Sequence, residues 1–167
     1  MSRFFTADLH LGHKLAARLR GFGTDVDAHD RYVINKLNSR LIKKSKLWVL
    51  GDVGFSRRSL ELIRELKTEN RVLILGNHDV AKAELYLEYF KDVHGALKYK
   101  SYMLTHIPIH PQELLRFKAN IHGHIHVGGT TQNIGGRHCN VGVEWNGYLP
   151  VPFEELEETY GNHTSTE

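Results

Sequence analysis

Short apolar runs recur along the first half of the chain, and each stops at a glycine or a polar residue. They have the length and continuous apolar character of buried strands, and they lie at residues 3–7, 47–50 and 71–75. Between them, residues 27–44 and 59–67 repeat apolar positions at helical spacing, with charged residues on the opposite side. Strands that alternate with helices in this way predict the α/β class.

The second half of the chain is richer in predicted strands. These strands cover residues 93–99, 102–105, 120–125 and 137–143, and helices are predicted at 81–90, 111–117 and 152–159. Paired glycines at 128–129 and 135–136 predict a flexible loop between the last two strands. Consecutive strands of this kind favour a mixed sheet or a sandwich. We expect one domain over residues 1–160 and a flexible C-terminal tail at 161–167.

Composition narrows the class of protein. The chain has 167 residues, of which 41% are hydrophobic, enough for one folded core. No segment approaches the roughly 20 apolar residues that cross a bilayer, so we expect no membrane partner. The first residues enter a strand pattern without a signal peptide ahead of them. Cys139 is the single cysteine, which fits a reducing compartment, and we therefore expect a cytoplasmic protein.

Charge gives a weaker indication of a partner. The formal net charge is +3, and residues 13–46 carry nine of the basic side chains and three acidic ones. We interpret this stretch as a solvated helix face, and a nucleic-acid contact is the alternative. The twelve histidines are more informative, because imidazole is the commonest metal ligand in proteins.

Metal-binding side chains follow five of the predicted strands. Because ligands bind beyond the carboxyl ends of strands in α/β sheets, these side chains are expected to converge. They comprise carboxylates, an amide and imidazoles without a thiolate, a set that suits Mn, Fe, Zn, Ni or Mg. The candidate ligands are Asp8, His10, Asp52, Asn77, His106, His124 and His126.

The number of candidate ligands predicts two metal ions. One ion with an open position needs about three or four protein ligands, so seven suffice for two ions if one carboxylate bridges them. Asp52 is the expected bridge, because it stands alone on its loop. Two divalent cations beside Asp8 and Asp52 leave a net positive charge, which would attract and polarise a phosphate.

The order of these motifs resembles that of the calcineurin-like metallophosphoesterases, particularly the small uncapped bacterial and phage type. Each motif alone is a weak signal, whereas five in order, each after a predicted strand, are specific. They span residues 8 to 126 and read Asp8-x-His10, Gly51-Asp52, Gly76-Asn77-His78-Asp79, His106 and Gly123-His124-x-His126.

The resemblance implies a role for each motif residue. His78 would be the general acid that protonates the leaving oxygen, Asp79 would orient it, and Asn77 would help to stabilise the developing charge. The fold implied is a double-sheet α/β sandwich flanked by helices, in four αββα layers. The first metal would be held by Asp8, His10, Asp52 and His126, and the second by Asp52, Asn77, His106 and His124.

Departures from the family pattern bear on the substrate. Protein phosphatases of this family carry Asp-Arg-Gly soon after Gly-Asp and a Glu after Asn-His, whereas this chain has Val53-Gly54 and Asp79. The resemblance therefore implies a phosphodiesterase, or a small-molecule phosphatase, acting on nucleotides or other small phosphate esters. A hydroxide that bridges two divalent ions, with manganese favoured, would attack phosphorus. The alternatives are a nuclease and a non-catalytic metal-binding scaffold; the oligomeric state stays open.

The other histidines are interpreted as structural. His122 precedes Gly123 and should point away from the following histidines if the strand alternates. His13 is expected to cap or pack near Asp8, with a substrate contact as the alternative. Those expected to be structural or merely exposed are His29, His94, His110, His138 and His163.

Overall fold

A five-stranded sheet carries the first half of the chain, in a computed structural model that describes residues 1–127 and 136–163. Its strand order is β4-β3-β2-β1-β9. The first four strands are parallel, and β9 lies antiparallel to β1. These strands are β1 (Arg3–Thr6), β2 (Lys46–Leu50), β3 (Arg71–Ile74), β4 (Asp92–His94) and β9 (Val151–Pro152).

A second sheet has four strands in the order β5-β6-β7-β8. β5 and β6 are antiparallel, whereas β6, β7 and β8 run parallel. The strands are β5 (Leu97–Tyr99), β6 (Tyr102–Leu104), β7 (Ala119–His122) and β8 (His138–Asn140). The bridge from Ala7 to Gly142 connects the end of β1 to the segment after β8, which brings the two sheets together near their strand ends.

Helices occupy most of the longer connections. The longest, α2 (Val26–Arg40), begins at Asp25, whose side chain accepts the backbone N–H of Ala28. α1 (Lys14–Ala17) continues directly into a π-helical segment (Arg18–Phe22). The remaining helices are α3 (Arg57–Glu61), α4 (Ala83–Tyr86) and α5 (Phe153–Tyr160), with 3₁₀ turns at Leu62–Glu65 and Pro111–Arg116.

Two hydrophobic clusters lie on opposite faces of the first sheet, as strand alternation requires. On one face, Phe4, Leu47 and Val49 pack against helix residues that include Val33 and Leu37. The other face packs against the second sheet, and its cluster contains Phe5, Trp48, Leu50, Ile74, Tyr102, Leu104 and Ile121. The protein is therefore a mixed α/β structure with two sheets and flanking helices. This agrees with the predicted α/β class.

Several element boundaries differ from the sequence predictions. The strand predicted over 93–99 is two strands, β4 and β5, which belong to different sheets and are separated at Gly95-Ala96. Only Ala83–Tyr86 of the predicted helix at 81–90 is α-helical. The strand predicted at 120–125 ends at His122, which leaves His124 and His126 on a loop. The helical segment from Lys14 to Phe22 was not predicted.

Two predictions lie wholly or partly outside the described residues. The glycine-flanked loop falls at 128–136, of which only Gly136 is described, and the predicted tail at 161–167 is described only as far as His163. Among the helices that the structure describes, none has the length and apolar character needed to cross a membrane.

Candidate metal centre

All seven candidate ligands lie on segments that directly follow strands. Asp8, Asp52 and Asn77 come after the parallel strands β1, β2 and β3, while His106 follows β6 and the pair His124/His126 follows β7. Backbone hydrogen bonds join these segments, since Asp8 N donates to Gly51 O and Gly123 N donates to His106 O, both at 3.0 Å. The carboxyl ends of strands from both sheets therefore converge on one place.

The backbone of this region is strained at the candidate ligands themselves. Positive φ angles occur at Asp8 (60°), His10 (50°), Asp52 (54°) and His124 (69°), a left-handed conformation that is uncommon for residues other than glycine. Each such residue costs of order 1–3 kcal/mol and persists only where its surroundings fix it. Four of the seven predicted ligands therefore have a backbone conformation that depends on the surrounding structure.

One group of metal-binding atoms comprises Asp8, His10 and His126. One ligand atom from each lies within 4.8 Å of the other two. Nε2 of His10 is 3.2 Å from Nε2 of His126 and 3.7 Å from Oδ2 of Asp52. Asp8 and His10 are almost wholly buried, so these polar groups have little access to water.

A second group comprises Asp8, Asp52 and His106. Nε2 of His106 lies 3.4 Å from Oδ2 of Asp52, 3.0 Å from Oδ1 of Asn77 and 3.3 Å from Nδ1 of His124. The structure thus brings all seven predicted ligands together. Asp8 belongs to both groups of metal-binding atoms. Oδ2 of Asp52 also lies near one histidine of each group, namely His10 and His106. Two carboxylates, not one, are therefore close to both groups.

The histidine tautomers make this site suited to a cation. Nδ1 of His106 donates to the carbonyl of Leu50 at 2.7 Å, and Nδ1 of His126 donates to Glu144 at 2.9 Å. In the neutral rings, both Nε2 atoms therefore present lone pairs. The lone pair of His106 faces the oxygen acceptors of Asp52 and Asn77, an arrangement that a proton or a metal ion stabilises.

The two buried carboxylates have different proton affinities. Burial raises the pKa of Asp8 to about 6, although the charges of His106 and His126 oppose this shift. Burial also acts to raise the pKa of Asp52, but the hydrogen bond and charge of His106 and the backbone N–H of His78 outweigh it and lower that pKa to about 2. Asp52 is therefore a carboxylate near neutral pH.

The four histidines likewise divide into two pairs. Burial and the charge of Arg20 lower the pKa of His10 to about 3, and burial lowers the pKa of His124. The hydrogen bond with Glu144 raises the pKa of His126. Burial lowers the pKa of His106, yet Asp52 and Asp8 more than compensate and its pKa is raised.

The position of Asp79 differs from the one expected. Its carboxylate accepts the backbone N–H groups of Asp52 (2.8 Å), Val53 (3.1 Å) and Gly76 (2.8 Å). The carboxylate of Asp79 therefore joins two ligand loops, and no hydrogen bond among the described residues connects it to the ring of His78. The prediction that Asp79 orients the ring of His78 directly is therefore wrong, because both of its oxygens accept buried backbone N–H groups that need an acceptor.

His78 lies exposed at the rim of the site. Its backbone N–H donates to Oδ1 of Asp52 at 3.0 Å, and its ring centroid lies 5.9 Å from that of His10. Neither ring nitrogen hydrogen-bonds to a residue that the structure describes. The ring is thus near the candidate ligands and free to contact a bound molecule.

Glycines permit the close approach of the ligand loops. A Cβ on Gly76 would lie 2.2 Å from Oδ1 of Asp52, and one on Gly123 would lie 2.6 Å from Oδ2 of Asp8. Both distances are shorter than any real contact of a side chain. The glycines of the Gly-Asn-His and Gly-His motifs therefore leave room for the two carboxylates.

The remaining histidines agree with their structural interpretation where contacts are described. His13 caps α1, with its Nδ1 accepting the N–H of Ala16 at 3.3 Å. His122 is buried, and its Nδ1 donates to the carbonyl of Gly123 at 2.8 Å. His138 donates from Nε2 to the carbonyl of Ile109 at 2.9 Å.

Sequence reasoning missed two residues beside the site, Arg20 and Glu144. Arg20 lies in the basic stretch that the sequence predicts to be solvated, but its side chain is 3% exposed and contacts Glu144 at 2.8 Å. Hydrogen bonds with His126 and the charge of Arg20 outweigh burial and lower the pKa of Glu144 to about 2. One signal was available, because Glu144 directly follows an apolar strand-end segment, as the ligands do.

Comparisons with known proteins give relatives without an assigned activity. No family model matches the chain. It is 34% identical to the Gene 66 protein of Mycobacterium phage L5 over 80 residues, and 36% identical to the Gene 66 protein of Mycobacterium phage D29 over 81 residues. Each match covers 46% of this chain and 39% of the relative, so the chain spans about two fifths of the length of these phage proteins.

One solved structure shows the same fold as this chain. A protein of unknown function from Aquifex aeolicus matches with a TM-score of 0.71 and 22% identity, over 94% of this chain and 98% of that one. A metallophosphoesterase from Sphaerobacter thermophilus matches with a TM-score of only 0.40 and 20% identity, over 76% of this chain and 61% of that one. The first similarity establishes a shared fold, and the second is too low to establish one.

Proposed function

We propose that the protein is a metal-dependent phosphoesterase of the calcineurin-like type, with two divalent cations bound at the converging strand ends. One observation carries the proposal: the same oxygen of Asp52, Oδ2, is 3.7 Å from Nε2 of His10 and 3.4 Å from Nε2 of His106. A carboxylate oxygen that faces imidazoles from two ligand groups is suited to being shared by two ions.

The residues present fit such a pair of ions. Carboxylate, amide oxygen and imidazole suit manganese, which we favour, as well as iron, zinc, nickel or magnesium. Asp8, His10 and His126 would hold one ion, while His106 with the nearby Asn77 and His124 would hold the other. Asp52 would be shared. When bound, such ions lower the pKa of water and neutralise charge on a phosphoryl group.

His78 supplies the acid chemistry in this proposal. It is exposed beside the ligand groups, and its ring nitrogens have no hydrogen bond to a described residue, so one of them can donate a proton to a leaving oxygen. The backbone N–H of His78 holds Asp52, and Asp79 holds the backbone of Asp52. The acid and the shared carboxylate are thus fixed to one another.

An aromatic ring at the rim favours substrates with an aromatic group. Phe55 is 40% exposed, and its ring centroid lies 5.3 Å from that of His78 and 4.2 Å from that of His13. A base or an aryl group could pack beside this ring while its phosphate occupies the site. This supports a nucleotide or another small phosphodiester as the substrate class.

The direct experiment is a panel of metals and substrates. Purified protein treated with chelator should be inactive, and manganese should restore hydrolysis of bis-(p-nitrophenyl) phosphate. The corresponding monoester, tested in parallel, decides between a diesterase and a monoesterase. No turnover with Mn, Ni, Zn or Mg would reject the proposed activity.

A second candidate function, cleavage of nucleic acid, is favoured by a basic cleft. The cleft measures about 680 Å³, and four exposed lysines line it beside Arg64 and Glu69. It lies at the amino-terminal edge of the parallel strands, opposite the ligand loops. The four lysines are Lys43, Lys44, Lys67 and Lys91. None of them pairs with a carboxylate among the residues that the structure describes.

The location of the cleft sets the test for a nuclease. A nucleic acid that reaches both the cleft and the ligand loops must wrap around the first sheet, so only a long strand could use both. We expect affinity for such a strand to fall steeply with salt, and Lys43→Glu with Lys44→Glu to weaken it. No cleavage of any strand would exclude this function, and salt-independent binding or equal cleavage rates for short and long strands would exclude a role of the cleft in it.

A further inference from the structure

A buried guanidinium stands beside the candidate metal centre without being one of its ligands. The side chain of Arg20 is 3% exposed. It donates to the carbonyl oxygens of Asp8 at 2.8 Å and Leu9 at 3.0 Å, and to Oε1 of Glu144 at 2.8 Å. A fourth contact, at 3.0 Å, is to Nε2 of His29. Arg20 therefore holds the backbone of the loop that carries Asp8 and His10.

The local chain conformation turns Arg20 inward. It lies in the helical segment Arg18–Phe22, and the next residue, Gly21, has a non-helical φ of 86°. Because this glycine kinks the chain, the side chain of Arg20 leaves the exposed surface of the helix and reaches the strand-end loop.

Glu144 forms the other half of the arrangement. Its Oε1 accepts from Arg20 and from Nδ1 of His126, the latter at 2.9 Å, and its Oε2 accepts the backbone N–H of Val127 at 3.1 Å. These contacts fix both the ring and the backbone of the His126 loop. The Nε2 of His126 is consequently left as an acceptor that faces the candidate ion.

Arg20 is itself held by a chain of hydrogen bonds on the side away from the metal centre. When Arg20 donates to Nε2 of His29, the Nδ1–H of His29 donates to Asp30 Oδ1 at 2.8 Å. The other oxygen of Asp30 accepts the N–H of Gly12 at 2.9 Å. His29 and Asp30 are both buried. The guanidinium is thus anchored on a second side, close to the end of the same loop.

We propose that the ion pair between the buried Arg20 and the half-buried Glu144 is the positioning element of the metal centre. Arg20 fixes the strained loop of Asp8 and His10, which follows the first sheet, and Glu144 fixes His126, which follows the second sheet. One ion pair thereby sets the distance between ligands that come from different sheets. The inference rests on the proposed metal centre and adds residues that the family resemblance did not supply.

The experiment measures binding of manganese alone, so it does not depend on finding a substrate. Titration calorimetry and the electron paramagnetic resonance of free Mn²⁺ give the affinity and stoichiometry of the intact chain. Glu144→Gln keeps the size of the side chain and removes its charge. We expect the affinity of one ion to fall about 10–100-fold, as is typical when the partner of a metal-binding histidine is altered. The second ion should bind as before.

A matched control uses another ion pair that involves a glutamate. Glu154 pairs with Arg3 at 3.3 Å, and Arg3 begins β1, at the end of the strand opposite the ligand loop. Glu154→Gln should bind manganese as the unaltered protein does. Arg20→Lys is the complementary variant, since one ammonium group cannot replace four guanidinium contacts, and it should weaken the same ion as Glu144→Gln.

A second measurement needs no metal. It distinguishes the loss of a hydrogen bond that orients the ring of His126 from a general loss of protein stability. In chelated protein at about pH 9, the ¹⁵N shifts of His126 report which ring nitrogen carries the proton. The unaltered protein should show the proton on Nδ1, and Glu144→Leu should move it to Nε2. A circular dichroism spectrum like that of the unaltered protein shows that a variant is folded.

The outcomes separate this inference from the proposed function. Two ions bound by the unaltered protein and by folded Glu144→Gln with equal affinity would overturn the positioning role alone. An unchanged His126 tautomer in Glu144→Leu would do the same. If the unaltered protein binds no manganese or other divalent cation, the metal centre and the proposed function both fail.

Discussion

The carboxylate of Asp52 and the imidazole of His106 lie 3.4 Å apart, in a pair whose members are each 2% exposed. They follow strands of different sheets, so this contact forms only in the folded protein. Replacement of Asp52 by Asn keeps an acceptor for the N–H of His78 but removes the negative charge. We expect Asp52→Asn to lose at least one ion and more than about 100-fold of its activity, because a direct ligand matters more than a residue behind it.

The control for Asp52→Asn is a carboxylate outside the site. Asp92 begins β4, and its side chain is 67% exposed beside His94. Asp92→Asn should retain both ions and full activity. Metal content after gel filtration, measured for both variants, checks the prediction, and two tightly held ions in Asp52→Asn would contradict it.

His78 is expected to act on the leaving group alone. His78→Ala should slow hydrolysis of a dialkyl or nucleoside diester by roughly 10²–10⁴-fold, the usual contribution of general acid catalysis. Loss of p-nitrophenolate needs little protonation, so the aryl diester should be affected much less. His163→Ala, which alters an exposed histidine, is the control. An equal loss for both classes of ester would remove the acid role.

Space beside Asp8 depends on Gly123. A methyl group there would lie 2.6 Å from Oδ2 of Asp8 and 2.5 Å from Cβ of Ala7. Gly123→Ala should therefore displace Asp8, weaken metal binding and reduce the free energy of unfolding by about 1–3 kcal/mol. Gly95→Ala, where a Cβ meets no described atom within 4 Å, should leave metal binding unchanged. Urea unfolding in chelator and metal titration measure the two effects, and equal stability and affinity in the two variants would refute the packing argument.

The single thiol should be inert in the folded protein. Burial raises the pKa of Cys139 to about 12. The neutral thiol is then the form present up to strongly alkaline pH, and only the thiolate is nucleophilic. At pH 8 we expect a disulfide reagent to react roughly three orders of magnitude more slowly than in urea, where the thiol returns to its ordinary pKa. Rapid stoichiometric labelling of the folded chain would contradict this environment.

Sequence reasoning located the candidate ligands because their positions follow from sheet geometry. Parallel strands end at one edge, so polar residues directly after apolar runs, such as Asp8 and Asp52, had to lie near one another. Arg20 does not follow from sheet geometry. It is a basic residue in a stretch with the charge pattern of an exposed helix, and its side chain is buried beside a kink at Gly21 that no local pattern predicts.

The local sequence pattern also does not predict where the chain passes from the first sheet to the second. Residues 93–99 have continuous strand character, yet β4 and β5 pair with different partners, because Leu97–Tyr99 is completed by the antiparallel strand Tyr102–Leu104. The partners of Asp79 are likewise not predictable from neighbouring residues. Its neighbour in sequence is His78, but its partners are backbone donors on two loops, which tertiary structure alone brings together.

The most direct test of the account is the anomalous scattering of manganese in a crystal of the protein grown with MnCl₂. We predict two peaks per chain, one beside His10 and His126 and one beside His106 and His124, with the carboxylate of Asp52 next to both. A single peak, or peaks remote from Asp52, would contradict the shared carboxylate on which the proposed function depends.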